Sequence, residues 1–224
     1  LRDCVKRRSQ REPLRYIEGS TEFYGLSLKV RSGALIPRPE TEVFVEEILK
    51  RMPEGGALRV VDLGTGTGAD ALAIAANRPE ARVLGIDISA DALTLARENI
   101  QAQGLASRVK LKQNAWLEAF DRRADWIVAN PPYLSAEEWA SAEEDVRVYE
   151  PREALVSGNE GREDLEAILK SAWPCLEPGG CVALETGIQH HSYLEKLARE
   201  IGYDGIESVE DQRQRERFFF ARRV

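Results

Sequence analysis

The stretch Val60-Val61-Asp62-Leu63-Gly64-Thr65-Gly66-Thr67-Gly68 constrains this chain more than any other. An apolar run ends in a glycine cluster, and a helical pattern, about Ala69 to Asn77, follows at once. Glycine permits positive φ and lets a ligand come close to the backbone. A second apolar run, Arg82 to Asp87, closes on a carboxylate. Strand, glycine turn, helix and strand make one unit of a parallel sheet. Open sheets of this kind bind ligands outside the carboxyl ends of their strands.

The alternation continues. A helix is predicted from Ala90 to Gln103 with Ser89 as its cap. Strands are predicted at Leu58–Asp62, Val109–Gln113, Asp125–Ala129 and Gly180–Glu185, with helices at residues 160–176 and Ser192–Glu200. Two late strands, Ile206–Val209 and Arg217–Ala221, would form an antiparallel edge. Upstream, Thr21 to Val30 around Gly25 reads as a short β-hairpin. Pro39 sits near the start of a helix carrying Val43, Val45, Ile48 and Leu49. The expectation is an α/β, Rossmann-like fold: a mostly parallel seven-stranded sheet, helices on both faces, preceded by the hairpin. The hairpin is placed in residues 19–36 and the α/β domain in 37–224. The charged segment before them, residues 1–18, has Leu14, Tyr16 and Ile17 as candidate anchors.

Which ligand suits this loop? The dinucleotide pattern G-x-G-x-x-G is poorly matched, because the third glycine, Gly68, comes one position early. Asp87 stands where a carboxylate accepts hydrogen bonds from ribose hydroxyls. A carboxylate at Asp62 would repel a pyrophosphate but could help hold the cationic amino end of S-adenosylmethionine (SAM). It could equally be an acid that organises the loop.

A second motif follows the strand Trp126-Ile127-Val128-Ala129. It reads Asn130-Pro131-Pro132-Tyr133. Two prolines remove backbone donors and stiffen the turn. The Asn130 side-chain oxygen and the Pro131 carbonyl could accept from the N–H groups of a planar amide or amino group. That would orient a poorly nucleophilic nitrogen and stabilise charge as a methyl arrives. Tyr133 could stack on the planar group and hold it in line.

The net charge of −7 disfavours a long nucleic-acid partner, which needs a basic face. After Tyr133 the chain carries Glu137, Glu138, Glu143, Glu144, Asp145, Glu150 and Glu153, against Arg147 and Arg152. Acids there would repel phosphates and attract a basic protein loop, or simply form a solvated face. No run approaches the roughly 18 apolar residues of a membrane span. Cys4, Cys175 and Cys181 form no C-x-x-C pair and read as reduced thiols, which suits a cytoplasmic protein. His190 and His191, the only histidines, read as surface residues, and no metal is assigned.

Four segments together resemble the peptide chain release factor glutamine methyltransferases, the PrmC/HemK family. They are Arg11 to Ile17 through Glu22-Phe23-Tyr24-Gly25, then Leu35-Ile36-Pro37-Arg38-Pro39-Glu40-Thr41-Glu42, Asp62 to Gly68, and Asn130 to Tyr133. Asn-Pro-Pro-Tyr is shared with nucleic-acid amino-methyltransferases. The Ile-Pro-Arg-Pro-Glu-Thr-Glu segment is particular to the glutamine enzymes. The resemblance implies SAM held by Gly64, Thr65, Gly66, Thr67, Gly68, Asp87, Trp116 and Asn130. It implies a target glutamine held by Asn130, Pro131, Pro132 and Tyr133, with Asn130, Pro131 and Tyr133 catalytic. The partner implied is the Gly-Gly-Gln loop of a bacterial release factor; ribosomal-protein glutamines and nucleic-acid amino groups are the alternatives. It implies further that residues 1–18 are the tail of, or linker from, an N-terminal helical domain. Two departures stand out. Asn114-Ala115-Trp116 lacks the acid common near the adenine, and Asp211-Gln212-Arg213-Gln214-Arg215 replaces a usual aspartate–glycine pattern.

Overall fold

The computed structural model describes residues 2–224; Leu1, at the head of the N-terminal segment, lies outside them. Helix α1 (Arg2–Ser9) buries none of its residues, and α2 (Leu14–Glu18) buries only Tyr16. A five-residue helix turns one face inward, and Tyr16 occupies it. Its hydroxyl donates to the Ala34 carbonyl at 2.7 Å, and its ring packs with Val30 and Ile36. Leu14, expected as an anchor, points away and is exposed.

Strands β1 (Ser20–Phe23) and β2 (Leu26–Lys29) form the predicted antiparallel hairpin. Its two-residue turn, Tyr24-Gly25, has positive φ at both positions, as the twist of a tight hairpin requires. Helix α3 (Pro39–Arg51) begins on its proline and buries Thr41, Phe44, Val45, Ile48 and Leu49, one stripe of a helical surface. Then come β3 (Arg59–Leu63), α4 (Ala69–Asn77), β4 (Arg82–Asp87), α5 (Ala90–Ala102), β5 (Val109–Gln113) and β6 (Ala124–Ala129). Ser89 caps α5 by accepting from the Ala92 N–H. The link beyond β6 holds α6 (Ala136–Ala140), α7 (Glu144–Tyr149), a 3-10 turn at Arg152–Ala154, and α8 (Gly158–Gly161). In that last short turn Asn159 and Glu160 have positive φ, so the helix expected over 160–176 starts only at Glu163. Helix α9 (Glu163–Cys175), β7 (Leu176–Glu185), α10 (His191–Ile201), β8 (Tyr203–Glu210) and β9 (Glu216–Arg223) complete the chain.

The sheet order is β5-β4-β3-β6-β7-β9-β8. The first five strands run parallel, and β9 is antiparallel to both neighbours. Side chains alternate across the sheet with the period of two that strands impose. Val60, Trp126, Val128, Phe218 and Phe220 face the layer of α3 and α4. Val61, Leu63, Ile127, Ala129 and Phe219 face the layer of α9 and α10. Phe44 stacks on Phe218 with centroids 5.5 Å apart. Truncating a buried ring of this kind costs about 3–5 kcal/mol.

His190 and His191 are not surface residues: both are buried. The entry into α10 folds both under the end of β7, where the His190 ring meets the Glu160 carbonyl at 3.2 Å. His191 bonds the Thr186 hydroxyl at 2.9 Å and the Ser208 hydroxyl at 2.8 Å. Burial lowers its pKa to about 4, so the ring is neutral. No helix among the described residues is long and apolar enough to cross a membrane.

Candidate active site

A cleft of about 300 Å³ opens beyond the carboxyl ends of β3, β4 and β6. Gly64, Gly66, Asp87, Trp116, Asn130 and Pro132 line it. The strand switch, where β3 has β4 on one side and β6 on the other, creates this crevice.

The glycine loop is held by backbone and by two carboxylates. The N–H groups of Gly64 and Thr65 donate to the Ile86 carbonyl at 2.8 and 3.0 Å. Asp87 accepts from the N–H groups of Gly66 and Ser89, both at 2.9 Å. Each carboxylate oxygen retains acceptor capacity for a ligand hydroxyl. Burial raises the Asp87 pKa, and its backbone donors oppose the shift. Gly64 has a φ of 69° and faces the Trp116 ring, which a Cβ there would meet at 3.5 Å. A side chain at that point would fill the cleft. Asp62 lies behind the loop, 2% exposed, and accepts from the Thr65 hydroxyl at 2.5 Å. Of the two roles open to it, organising the loop is the one this geometry displays. Thr65, Thr67 and Gly68 pack behind the loop and do not line the cleft.

Trp116 also adopts a positive φ, 45°, and its indole N–H donates to Asp164 at 3.1 Å. That bond fixes the ring as one wall of the cleft. Ala115 and Asn114 line the same wall.

Asn130 follows directly from β6. Its amide donates to the Thr41 hydroxyl at 3.2 Å. Thr41, in the first turn of α3, donates to Glu185 at 2.8 Å. Glu185 ends β7 and is 1% exposed. Its other oxygen receives the Tyr133 hydroxyl at 3.3 Å and Arg217 at 3.1 Å. Arg217 also donates to the Tyr133 hydroxyl at 2.6 Å. Burial pushes the Glu185 carboxyl up, and the Arg217 guanidinium pulls it back toward the ionised form. Burial raises Tyr133 to about 12, so its hydroxyl is protonated at neutral pH. Pro131 and Tyr133 stand beside the cleft wall, not in it. Gly161 lies against the Tyr133 backbone: a Cβ there would come within 2.1 Å of the Tyr133 carbonyl oxygen.

The motif before α3 is tied down in the same region. Arg38 pairs with Glu150 at 2.5 Å, and Glu150 accepts from the Ile36 N–H at 3.2 Å. Glu150 is therefore buried and does not belong to the acidic face on which the sequence places it. Glu137, Glu138, Glu143 and Glu144 are exposed, and Glu153 is exposed at the rim of the cleft.

A methyltransferase small domain model matches residues 39–160. The release factor glutamine methyltransferase of Salmonella typhimurium is 43% identical over 219 residues, 97% of this chain and 78% of that protein. Its namesake from Caulobacter vibrioides is 39% identical, covering 94% and 73%. The chain belongs to the release factor glutamine methyltransferase family. Solved structures agree on the fold. A methyltransferase from Pyrococcus furiosus superposes with a TM-score of 0.69 at 18% identity, over 96% of this chain and 98% of that one. A 16S rRNA N2 methyltransferase from Thermus thermophilus, in complex with AdoMet and guanosine, gives 0.65 at 20% identity, over 92% and 50%.

The methyl donor of this release factor glutamine methyltransferase family member is SAM. The cleft fits it: a backbone floor without side chains at Gly64 and Gly66, an acceptor at Asp87 for a ribose, and an indole wall. Thr41, Glu185 and Arg217 were missed as site residues by the sequence reading. Thr41 lies inside the Ile-Pro-Arg-Pro-Glu-Thr-Glu segment, and Glu185 ends a strand at the binding edge of the sheet. Arg217 carries no local signal at all.

Proposed function

We infer that this chain transfers the methyl group of SAM to the side-chain amide nitrogen of a glutamine in a peptide chain release factor, in its Gly-Gly-Gln loop. The observation that supports it best is Asn130 in the lining of the same cleft as Gly64 and Asp87, with its amide held from behind by the Thr41 hydroxyl. When bound, SAM supplies an electrophilic methyl on a positively charged sulfur. The residues named here do the rest.

An amide nitrogen is a weak nucleophile because its lone pair is delocalised into the carbonyl. We propose that the Asn130 Oδ1 and the Pro131 carbonyl accept from the two N–H bonds of the target. They hold the nitrogen facing the methyl and stabilise the positive charge that grows on it. Pro132 and the Tyr133 ring, held by Arg217 and Glu185, bound the planar group. As the N–C bond forms and the S–C bond breaks, the nitrogen becomes acidic and its proton leaves to water. No side chain need act as a strong base, which suits a Tyr133 that keeps its proton at neutral pH. On the cofactor side we assign Gly64, Gly66, Asp87 and Trp116 to SAM, with Thr65, Thr67 and Gly68 shaping the loop from behind. Exposed Glu137, Glu138, Glu143, Glu144 and Glu153 favour a basic protein loop over a phosphate backbone.

Mass spectrometry of a release factor incubated with the protein and SAM tests the reading. One methyl group on the glutamine of the Gly-Gly-Gln loop is expected. An unmodified release factor, with the methyl found instead on a ribosomal protein or on nucleic acid, would overturn it.

A further inference from the structure

We infer that Thr41 and Glu185 are positioning residues that decide which end of the Asn130 amide faces the cleft. The inference rests on the amide clamp proposed above. It adds a requirement that the clamp alone does not contain.

An asparagine side chain has an acceptor end and a donor end of nearly the same shape. A target amide presents N–H groups to the clamp. Only the oxygen of Asn130 can accept them; the NH₂ end would set donor against donor. Something must therefore forbid the flipped orientation.

Donor counting supplies the constraint. The Thr41 hydroxyl has one proton and lies between two partners: Glu185 Oε2 at 2.8 Å and the Asn130 amide at 3.2 Å. Glu185 Oε1 already receives Arg217 at 3.1 Å and the Tyr133 hydroxyl at 3.3 Å. With the guanidinium beside it, the carboxylate accepts at both oxygens. Thr41 must then give its proton to Oε2, which leaves it only lone pairs for Asn130. Asn130 satisfies it with Nδ2, and Oδ1 is the end left for the cleft. Thr41 is 5% exposed and Glu185 1% exposed, so water does not offer a substitute partner. The polarity of the chain Arg217–Glu185–Thr41–Asn130 runs in one direction, from a fixed cation to a free acceptor.

Thr41→Val keeps the shape and removes the hydroxyl, so Asn130 loses its orientation. We expect kcat to fall about 10- to 100-fold, the scale on which supporting partners of a site act. The KM for SAM should stay within about two-fold, because the cofactor's contacts on β3 and β4 are untouched. Thr41→Ser restores the hydroxyl and should return most of the rate. Glu185→Gln is the sharper variant. Arg217 and Tyr133 hold its oxygen, so its NH₂ faces Thr41 and the chain of donors reverses. It should lower kcat at least as much as Thr41→Val and add little in the Thr41→Val background. A merely structural role would tolerate both near-isosteric changes and show no rescue by serine. Near wild-type kcat in Thr41→Val or in Glu185→Gln, with Asn130→Ala inactive, overturns the inference. If Thr41→Val does not fold, Glu185→Gln decides alone. If Asn130→Ala keeps the wild-type rate, the clamp itself fails and the relay with it, so the two failures are told apart.

Discussion

The two walls of the cleft are built by different means. The wall we assign to the cofactor is mostly backbone: glycine N–H groups, one carbonyl at Ile86 and one carboxylate, all from the β3–α4–β4 unit, with the Trp116 ring beside them. The wall we assign to the target amide presents Asn130, backed by side chains from distant segments that do not themselves line the cleft. Asn130 meets Thr41 across 89 positions, Thr41 meets Glu185 across 144, and Arg217 meets Tyr133 across 84. A backbone wall is cheap to hold in place because the sheet already orders it. A side-chain wall depends on each distant element arriving, and single substitutions reach it easily. The comparison predicts that damage to the amide wall costs both rate and stability, while damage to the cofactor wall costs affinity.

The largest effect should come from Arg217→Ala. It leaves Glu185 buried without its cation, and breaking a buried pair costs about 3–5 kcal/mol. Urea unfolding should show this loss; an unchanged midpoint would mean that the amide wall is not under electrostatic tension. Next is Asn130→Ala, for which we expect kcat to drop about 10²–10³-fold with the SAM Kd little changed. Steady-state kinetics beside calorimetry separates the two, and a loss confined to SAM affinity would move Asn130 to the cofactor wall. Asp87→Ala should behave in the opposite way. Its expected cost is about 1.5–3 kcal/mol of SAM binding. Calorimetry showing full affinity would remove Asp87 from the site.

The smallest effect concerns pH. Burial holds Asp62 up to about 6, above the value near 4 of an unfolded aspartate. The folded protein then binds this proton more tightly than the unfolded chain does. The stability it contributes is full below about pH 4 and is lost as pH rises through about 6. Asp62→Asn should flatten the fall in unfolding free energy between those values, by an amount on the order of 1–2 kcal/mol, read from urea unfolding at each pH. Part of the slope should survive, because burial raises Asp70 and Glu185 in the same direction. A variant with the wild-type slope would acquit Asp62.

The same contrast explains what could be read without a structure. The β3–α4–β4 unit was legible because its glycines, its acid and its apolar period are local. Strand β9 was found, but not that its Arg217 would reach Tyr133. Glu150 was counted as a surface acid because seven acids in one stretch look solvated. Its partner, Arg38, is 112 positions away. His190 and His191 failed for a similar reason: the Glu160 carbonyl meets one ring and the hydroxyls of Thr186 and Ser208 the other, partners that neighbouring sequence does not announce. Trp116 came from resemblance alone, since nothing local predicts its positive φ.

One further side chain joins two elements of this molecule. Asn99 on α5 is fully buried; its oxygen accepts from the Lys29 N–H at 2.8 Å, and its amide donates to the carbonyls of Lys29 at 3.1 Å and Thr67 at 2.9 Å. The hairpin and the glycine loop are thus riveted to one helix through one side chain. To detach the hairpin, Asn99 would have to give up its two bonds to Lys29, and the same side chain holds the Thr67 carbonyl at the base of the glycine loop. One buried amide thus serves two elements that share no strand ladder, and its loss would leave polar groups of both without a partner.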